Sequence, residues 1–314
     1  MELTLDANSP PSRHPDGFRV EPADPASFTL DRFGALRHDF DKHPLLQRAQ
    51  LAEFAKRSMP TRQCRFALPG MTQTSAFNHT PKLPKGTTIE DVFARLDEPG
   101  SWLALYNVQT HPAYAGLLGD VITSVQPLLA RDGHQVLLMT GFIFISSPPA
   151  YTPFHIDREN NFWLQVSGRK IMTVFDRLDR AIVPARLVEE FIVHGSLEQV
   201  RLQEELRERG HCFEVGPGDG VYFPSTTPHM TETPMVVSGG HPGVSISIGV
   251  NFYTNVTRRH ARVHQLNRVL RRWGTEPKAP GLQPLRDRIK APFGHAVGVI
   301  RSRWFDYASP PSAF

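Results

Sequence analysis

The feature that most constrains this chain is a train of short β-type runs between residues 136 and 253. Val136–Ser146 (VLLMTGFIFIS) opens it, and further runs follow at 162–166, 170–175, 212–215, 221–223 and 244–253. They are rich in Val, Ile, Phe and Tyr, with Pro, Gly and Asn between them. Many short strands in series predict a sandwich or barrel. The last run alternates cleanly. Ser245, Ser247, Gly249, Asn251 and Tyr253 share one face, and Ile246, Ile248, Val250 and Phe252 share the other. Successive side chains of a strand point to opposite faces, so one face reads as core and the small polar face as the lining of a pocket.

The flanks have a different character. Residues 1–27, rich in Pro, Asp and Ser, are expected to lie extended or disordered. Residues 30–57 read as helical, with Leu45, Leu46, Ala49, Ala52 and Phe54 near helical spacing. Residues 58–87 read as loop with one strand at 63–67. The segment 87–96 (TTIEDVFARL) reads as a helix that starts on a threonine and carries acids in its first turn. A strand is expected at 102–108. A helix is expected at 111–127, with Leu117, Leu118, Val121, Ile122 and Val125 on one side. A charged helical insert at 185–209 interrupts the β series. The C-terminal part contains a basic helix at 258–273 and a second helix at 282–290.

Composition narrows the function classes. Of 314 residues, 40% are hydrophobic and 21% charged, an ordinary soluble profile with enough chain for a sizeable core. The formal net charge of +4 does not by itself argue for nucleic acid. Cys64 and Cys212 form no CxxC motif and are expected to be free, mostly buried thiols. The N-terminus has no apolar signal core. No stretch approaches the roughly 18 apolar residues of a membrane span. The expectation is a cytoplasmic protein.

The segment 151–170 (YTPFHIDRENNFWLQVSGRK) carries the chemistry. His155 and Asp157 are two apart, which on an extended segment puts both side chains on one face. With one more histidine they make the two-His-one-carboxylate set typical of non-haem iron(II) oxygenases, which leaves one side of the metal open. His229, after GPGDGVYFPSTTPH, fits as that histidine. His194 and His211 flank the charged insert, His241 sits in a glycine-rich turn, and His260 and His264 read as solvated on the basic helix. A lone HxD arises easily in a chain with 14 histidines; here the turns and strands around it give it context.

A dicarboxylate co-substrate also needs a cation away from the metal. Lys170, at the start of a strand after VSG, can grip a carboxylate as a compact donor, and Thr152 can add a hydroxyl. Arg169 should point the other way. Asn161 and Asn251 are candidates for hydrogen bonds beside the metal, although an asparagine often simply caps a turn.

His155-Ile-Asp157, Asn161-Phe162, Gly168-Arg169-Lys170, Gly218-Asp219 and Pro228-His229 together resemble the jumonji-C/cupin-like oxygenases. The pattern is similar to that of the asparaginyl hydroxylase of hypoxia-inducible factor and its bacterial cupin-like relatives. The resemblance covers roughly residues 100–255. It implies a mainly β fold, a double-stranded β-helix (jelly roll or cupin), with N-terminal α/β elements and C-terminal helices. The implied domains are a catalytic domain at 28–255, with its β-helix core at about 100–255, and a helical region at 256–314. It implies Fe(II) held by His155, Asp157 and His229, with 2-oxoglutarate and O2 consumed together. Lys170 and Thr152 would take the distal carboxylate, and Asn161 and Asn251 would sit around the metal-side end. A tyrosine of an earlier strand, Tyr106, would also touch the distal carboxylate, with Tyr151 as the other candidate.

Three functions compete at this point. One is hydroxylation of a C–H bond of a protein or peptide side chain. A second is a small-molecule 2-oxoglutarate oxygenase. A third is a metal-binding cupin that is not an oxygenase, against which stand the HxD spacing and Lys170. Lysine demethylation is a weaker variant, since the chain has no reader module or zinc cluster. The 258–273 helix, through Val263, Leu266, Val269 and Leu270, is a candidate homodimer contact, and the 185–209 insert a candidate for the pocket mouth.

Overall fold

The computed structural model describes residues 17–67, 79, 80, 82, 83, 86–99, 101–236, 240 and 243–304. Its elements in chain order begin with β1 (Val20–Pro22), β2 (Gly34–His38), α1 (Arg48–Ser58), β3 (Cys64–Ala67), β4 (His79–Thr80), α2 (Ile89–Ala94) and β5 (Trp102–Tyr106). Next come α3 (Pro112–Ser124), α4 (Gln126–Arg131), β6 (Val136–Ser146), β7 (Ala150–His155), β8 (Asn160–Ser167), β9 (Lys170–Val174) and α5 (Ala185–His194). The last are β10 (His211–Val215), β11 (Asp219–Phe223), β12 (His229–Thr233), β13 (Ser245–Thr254), α6 (Asn255–Arg272) and α7 (Pro284–Trp304).

The strands form two antiparallel sheets. The larger runs β1-β2-β11-β8-β13-β6-β5-β3-β4 and the smaller β10-β9-β12-β7. Along β6–β13 the chain passes from sheet to sheet at every step but one, β9 and β10 being paired neighbours in the small sheet, in the winding of a double-stranded β-helix, the expected jelly roll. The β1–β2 pair extends the large sheet on one side and β5, β3 and β4 on the other.

Alternation along β13 sorts the two faces as expected. Ile246, Ile248, Val250 and Phe252 enter the main core with Leu36, Leu103, Leu105, Ile143 and Phe162. Phe252 stacks on Phe162 with ring centroids 5.2 Å apart. The helix α3 packs on the outer face of β6. Gly141 makes that approach possible: a Cβ there would lie 2.6 Å from Val108 Cγ2 and 2.7 Å from Leu118 Cδ1. The predicted stripe Leu117, Leu118, Val121, Ile122 and Val125 is buried. Helix α2 starts on a capping box, Thr88 accepting from the Asp91 N–H while Asp91 accepts from the Thr88 N–H.

Several expectations are corrected. The stretch 30–57 is not continuously helical, because Gly34–His38 is a strand that pairs with both β1 and β11. It is short, and only its central Leu36 is fully buried, so its period-2 signal was too brief to read. In the 185–209 insert only Ala185–His194 is α-helical; Gly195, at φ 74°, ends it, and 204–209 is a 3-10 turn. Helix α7 is longer than 282–290. His264 is buried rather than solvated, and burial pushes its imidazole well below the usual range, while His260 is half-buried, with its imidazole pushed down to about 3. Cys64 is buried, but Cys212 is exposed. His241 and residues 1–16 lie outside the described residues, while Val20, inside the 1–27 stretch, is buried in a paired strand. Among the described residues, no helix is long and apolar enough to cross a membrane.

Candidate metal centre and its pocket

His155 ends β7 and His229 begins β12, and the two are register partners across that antiparallel pair. Their imidazole centroids are 4.1 Å apart. Asp157 follows just past the strand, on a turn pinned by the Thr226 N–H donating to the Asp157 carbonyl at 2.8 Å. Asp157 Oδ1 lies 3.9 Å from His155 Nε2, and Oδ2 lies 3.6 Å from His229 Nε2. One ligand atom from each residue falls within 4.8 Å of the others, a group that can hold a metal ion.

The far side of each imidazole is also committed. His155 Nδ1 bonds the Pro153 carbonyl at 2.7 Å, and His229 Nδ1 bonds the Thr227 carbonyl at 2.9 Å. A carbonyl accepts only from N–H, so each ring keeps its proton on Nδ1 and turns the Nε2 lone pair inward, as ligating histidines do. Burial, and then the neighbouring His155, press His229 down to about 4, so it is neutral at ordinary pH. Two imidazoles and one carboxylate at adjoining strand ends are the donor set of non-haem Fe(II) sites. The residues present fit that ion.

The triad opens into a cavity of about 260 Å³. All the other residues proposed from sequence, except Tyr151, line it: Lys170, Thr152, Asn161, Asn251 and Tyr106. Tyr151 alternates with Thr152, pairs with Glu232 on β12 and is not among the lining residues. Tyr106 reaches the cavity from β5, where it meets Phe142 edge-on at 5.0 Å. Burial, with a further push from Asp157, raises its phenol above the ordinary range.

Lys170 opens β9 and is 3% exposed. Among the described residues it has no carboxylate partner, and burial alone pulls its ammonium down to about 8. Arg169 points away, as expected, and pairs with Glu214 at 3.1 Å. On β12, Thr231 is level with both Thr152 of β7 and Met172 of β9, which brings the Lys170 end of the small sheet beside Thr152.

Asn161 and Asn251 are register partners on β8 and β13. Their Oδ1 atoms, and Ser247 Oγ, are buried without a hydrogen-bond partner among the described residues. Gly249 leaves the space they occupy: a Cβ there would lie 3.1 Å from Asn251 Oδ1 and 3.3 Å from Asn161 Nδ2. Buried polar atoms are rarely left unmatched, and these three atoms offer hydrogen bonds toward the cavity that a polar ligand can take up.

Sequence reasoning missed Glu159, Trp163, Met172, Thr231, Phe142, Phe144, Leu197 and Phe223, which also line the cavity. Period-2 alternation from Asn161 and His229 would have found Glu159, Trp163 and Thr231. Leu197 comes from the insert, and nothing local in the sequence marks it. Glu159 accepts a hydrogen bond from the Tyr253 hydroxyl at 2.8 Å. Burial, then the neighbouring Asp157, raise its carboxyl to about 7.

No family model matches the sequence, and no curated protein does either. Comparison of structures finds the ribosomal oxygenase YcfD from Escherichia coli. One YcfD structure, in complex with cobalt and 2-oxoglutarate, is 18% identical over 89% of this chain and 67% of that chain, with a TM-score of 0.46. Another, in complex with cobalt and succinic acid, is 17% identical over 92% of this chain and 69% of that chain, with a TM-score of 0.44.

Proposed function

We propose that this chain is an Fe(II)- and 2-oxoglutarate-dependent oxygenase that hydroxylates a C–H bond of a protein or peptide side chain. One observation carries the reading: the inward-facing His155-Asp157-His229 set shares a cavity with a buried lysine that has no counter-ion among the described residues. A metal-binding cupin without a dicarboxylate ligand gives Lys170 nothing to do, and burying an ammonium unpaired is costly.

Under this reading His155, Asp157 and His229 hold the iron, which when bound supplies the oxygen-activating chemistry coupled to decarboxylation of 2-oxoglutarate. The chain's own groups do the positioning. Lys170 and Thr152 grip the distal carboxylate, and Tyr106 closes that end with its neutral hydroxyl. Asn161 and Asn251 hydrogen-bond at the metal-side end. Trp163, Met172, Phe142 and Phe144 exclude water around the co-substrate stem. Leu197 brings the insert to the cavity, which supports a role for the 195–203 loop in admitting the substrate.

A homodimer through the C-terminal helices belongs to the same proposal, with a different face from the one read in sequence. Val263 is fully buried within the protomer, and α6 packs against α7. The exposed apolar stripe is on α7: Leu285, Ile289, Phe293 and Ile300. These recur near helical spacing on the side turned away from Asp287, Ala291 and Gly294, which are buried.

The test of the function is conversion of 2-oxoglutarate to succinate in air with added Fe(II), with a peptide pool screened for a 16 Da gain. Iron-dependent succinate formation that disappears in His155→Ala supports the reading. Well-folded, iron-loaded protein that leaves 2-oxoglutarate intact contradicts it.

A further inference from the structure

We infer that the chain has a second ligand site away from the metal: the cavity between α5, α6 and the 276–282 linker binds a phosphate group, with Arg180 as its main cation and Lys278 at its rim. The inference does not depend on the oxygenase reading, and no residue lining this cavity lines the metal cavity.

Segments far apart in sequence build the cavity, which holds about 370 Å³, within the range of small-molecule sites. His264, Asn267 and Arg271 come from one face of α6, at positions i, i+3 and i+7. Arg180 comes from the loop before α5 and Glu189 from α5 itself. Lys278 comes from the linker to α7. That linker is pinned. Asn267 Nδ2 donates to the Lys278 carbonyl at 3.0 Å, and Asn267 Oδ1 accepts from Lys290 Nζ at 3.0 Å. The Gly281 N–H donates to the buried Asp287 at 2.7 Å. The walls are thus set before any ligand arrives, which lowers the cost of binding.

The charges in the cavity favour an anion. Arg180, Arg271 and Lys278 line it with two carboxylates, Glu189 and Glu276. Both carboxylates close on Arg271, Glu189 at 3.1 Å and Glu276 by a second ion pair. Arg180 is left with one long hydrogen bond, Nη1 to the Val183 carbonyl at 3.5 Å, and forms no ion pair among the described residues. Asp176 and Glu189 act on it only from a distance. His264 adds a neutral imidazole. It is 6% exposed, and its Nδ1 has no hydrogen-bond partner among the described residues. Burial, then Arg180, His260, Arg177 and Arg271, hold its imidazole well below the ordinary range. The groups that act on it most are all basic, so this wall carries a positive field. A phosphate matches the set, because it accepts several hydrogen bonds and carries charge that two cationic side chains can share. Leu178, Ala185 and Leu282 make the rest of the wall apolar, which suits an organic body on the phosphate.

The test is calorimetric titration of the full chain with inorganic phosphate, and separately with glycerol 3-phosphate, at fixed ionic strength. Wild type is expected to show saturable binding. Arg180→Gln should weaken it about tenfold and Lys278→Gln about threefold. Lys170→Met, which removes the cation of the metal cavity, should leave it unchanged. Lys278 is exposed, so its variant keeps the inference testable if the Arg180 variant does not fold. Carbon-13 NMR of histidine-labelled protein gives the location: the His264 imidazole should shift along the same titration curve.

Tighter binding of glycerol 3-phosphate than of phosphate supports the site and names an organic monoester as its ligand; the reverse order supports it and names the free ion. Absence of saturable binding to wild type overturns the inference. So does binding that Lys170→Met abolishes, which would put the phosphate in the metal cavity. Binding that both Arg180→Gln and Lys278→Gln leave intact, or a His264 resonance that stays still at saturation, overturns it as well.

Discussion

Asn161 and Asn251 face each other across the β8–β13 ladder, each with a buried amide oxygen that no group among the described residues satisfies. Gly249 beside them is what keeps the space open. Gly249→Ala is therefore expected to fold while pressing the two amides out of place. The co-substrate's apparent KM should rise about tenfold, and the melting temperature should fall only slightly, since a methyl added at 3.1 Å asks the neighbours to give a few tenths of an ångström. An unchanged KM would show that the two amides do not contact the co-substrate.

Lys170 makes a prediction in pH. Its folded-state value of about 8 lies below the ordinary 10.5, so between those two values the unfolded chain holds a proton that the folded chain has released. Stability of the ligand-free protein must rise with pH across that window, by about 3 kcal/mol from this group. Below about 8 the cost of the buried ammonium is present in full. Chemical denaturation at a series of pH values should show the rise in wild type and its loss in Lys170→Met. The same substitution should weaken 2-oxoglutarate binding by about 2–5 kcal/mol, roughly 30-fold or more. A Lys170→Met protein that binds 2-oxoglutarate normally would remove the lysine from the site.

Arg158 ties the turn after Asp157 to the C-terminal carbonyls of α5. Arg158→Ala leaves those carbonyls without their charged donor and should cost about 1–3 kcal/mol. It should also loosen the 195–203 loop that carries Leu197, so limited proteolysis should cut there faster than in wild type. Unchanged cleavage would mean the loop is held by other contacts.

Ile289 and Phe293 are 67% and 62% exposed on α7, enough apolar surface to draw a partner copy. Sedimentation is expected to show a dimer that Ile289→Glu with Phe293→Glu converts to monomer. A wild-type monomer at high concentration contradicts the dimer.

Much of this was legible in sequence where one physical rule dominated. The alternation in 245–253 fixed which face of β13 is core, and HxD on an extended segment put His155 and Asp157 together. The strand β12 was not read, because His229, Thr231 and Thr233 line or neighbour a polar cavity and the run HMTET lacks apolar alternation. His260 and His264 looked solvated amid arginines, yet α6 is covered by α7 and α5, a contact between distant segments that no local pattern reports. Leu197 reaches the cavity from the insert for the same reason.

The central claim is that His155, Asp157 and His229 hold iron in a cavity whose Lys170 receives 2-oxoglutarate. It is tested most directly by anaerobic titration of the metal-free protein with Fe(II) and 2-oxoglutarate, watching for the weak visible charge-transfer band of the chelate. The account predicts a band that needs both additions, vanishes in His155→Ala and requires far more 2-oxoglutarate in Lys170→Met. Absence of the band in well-folded wild-type protein, or a band unaffected by His155→Ala, would contradict it.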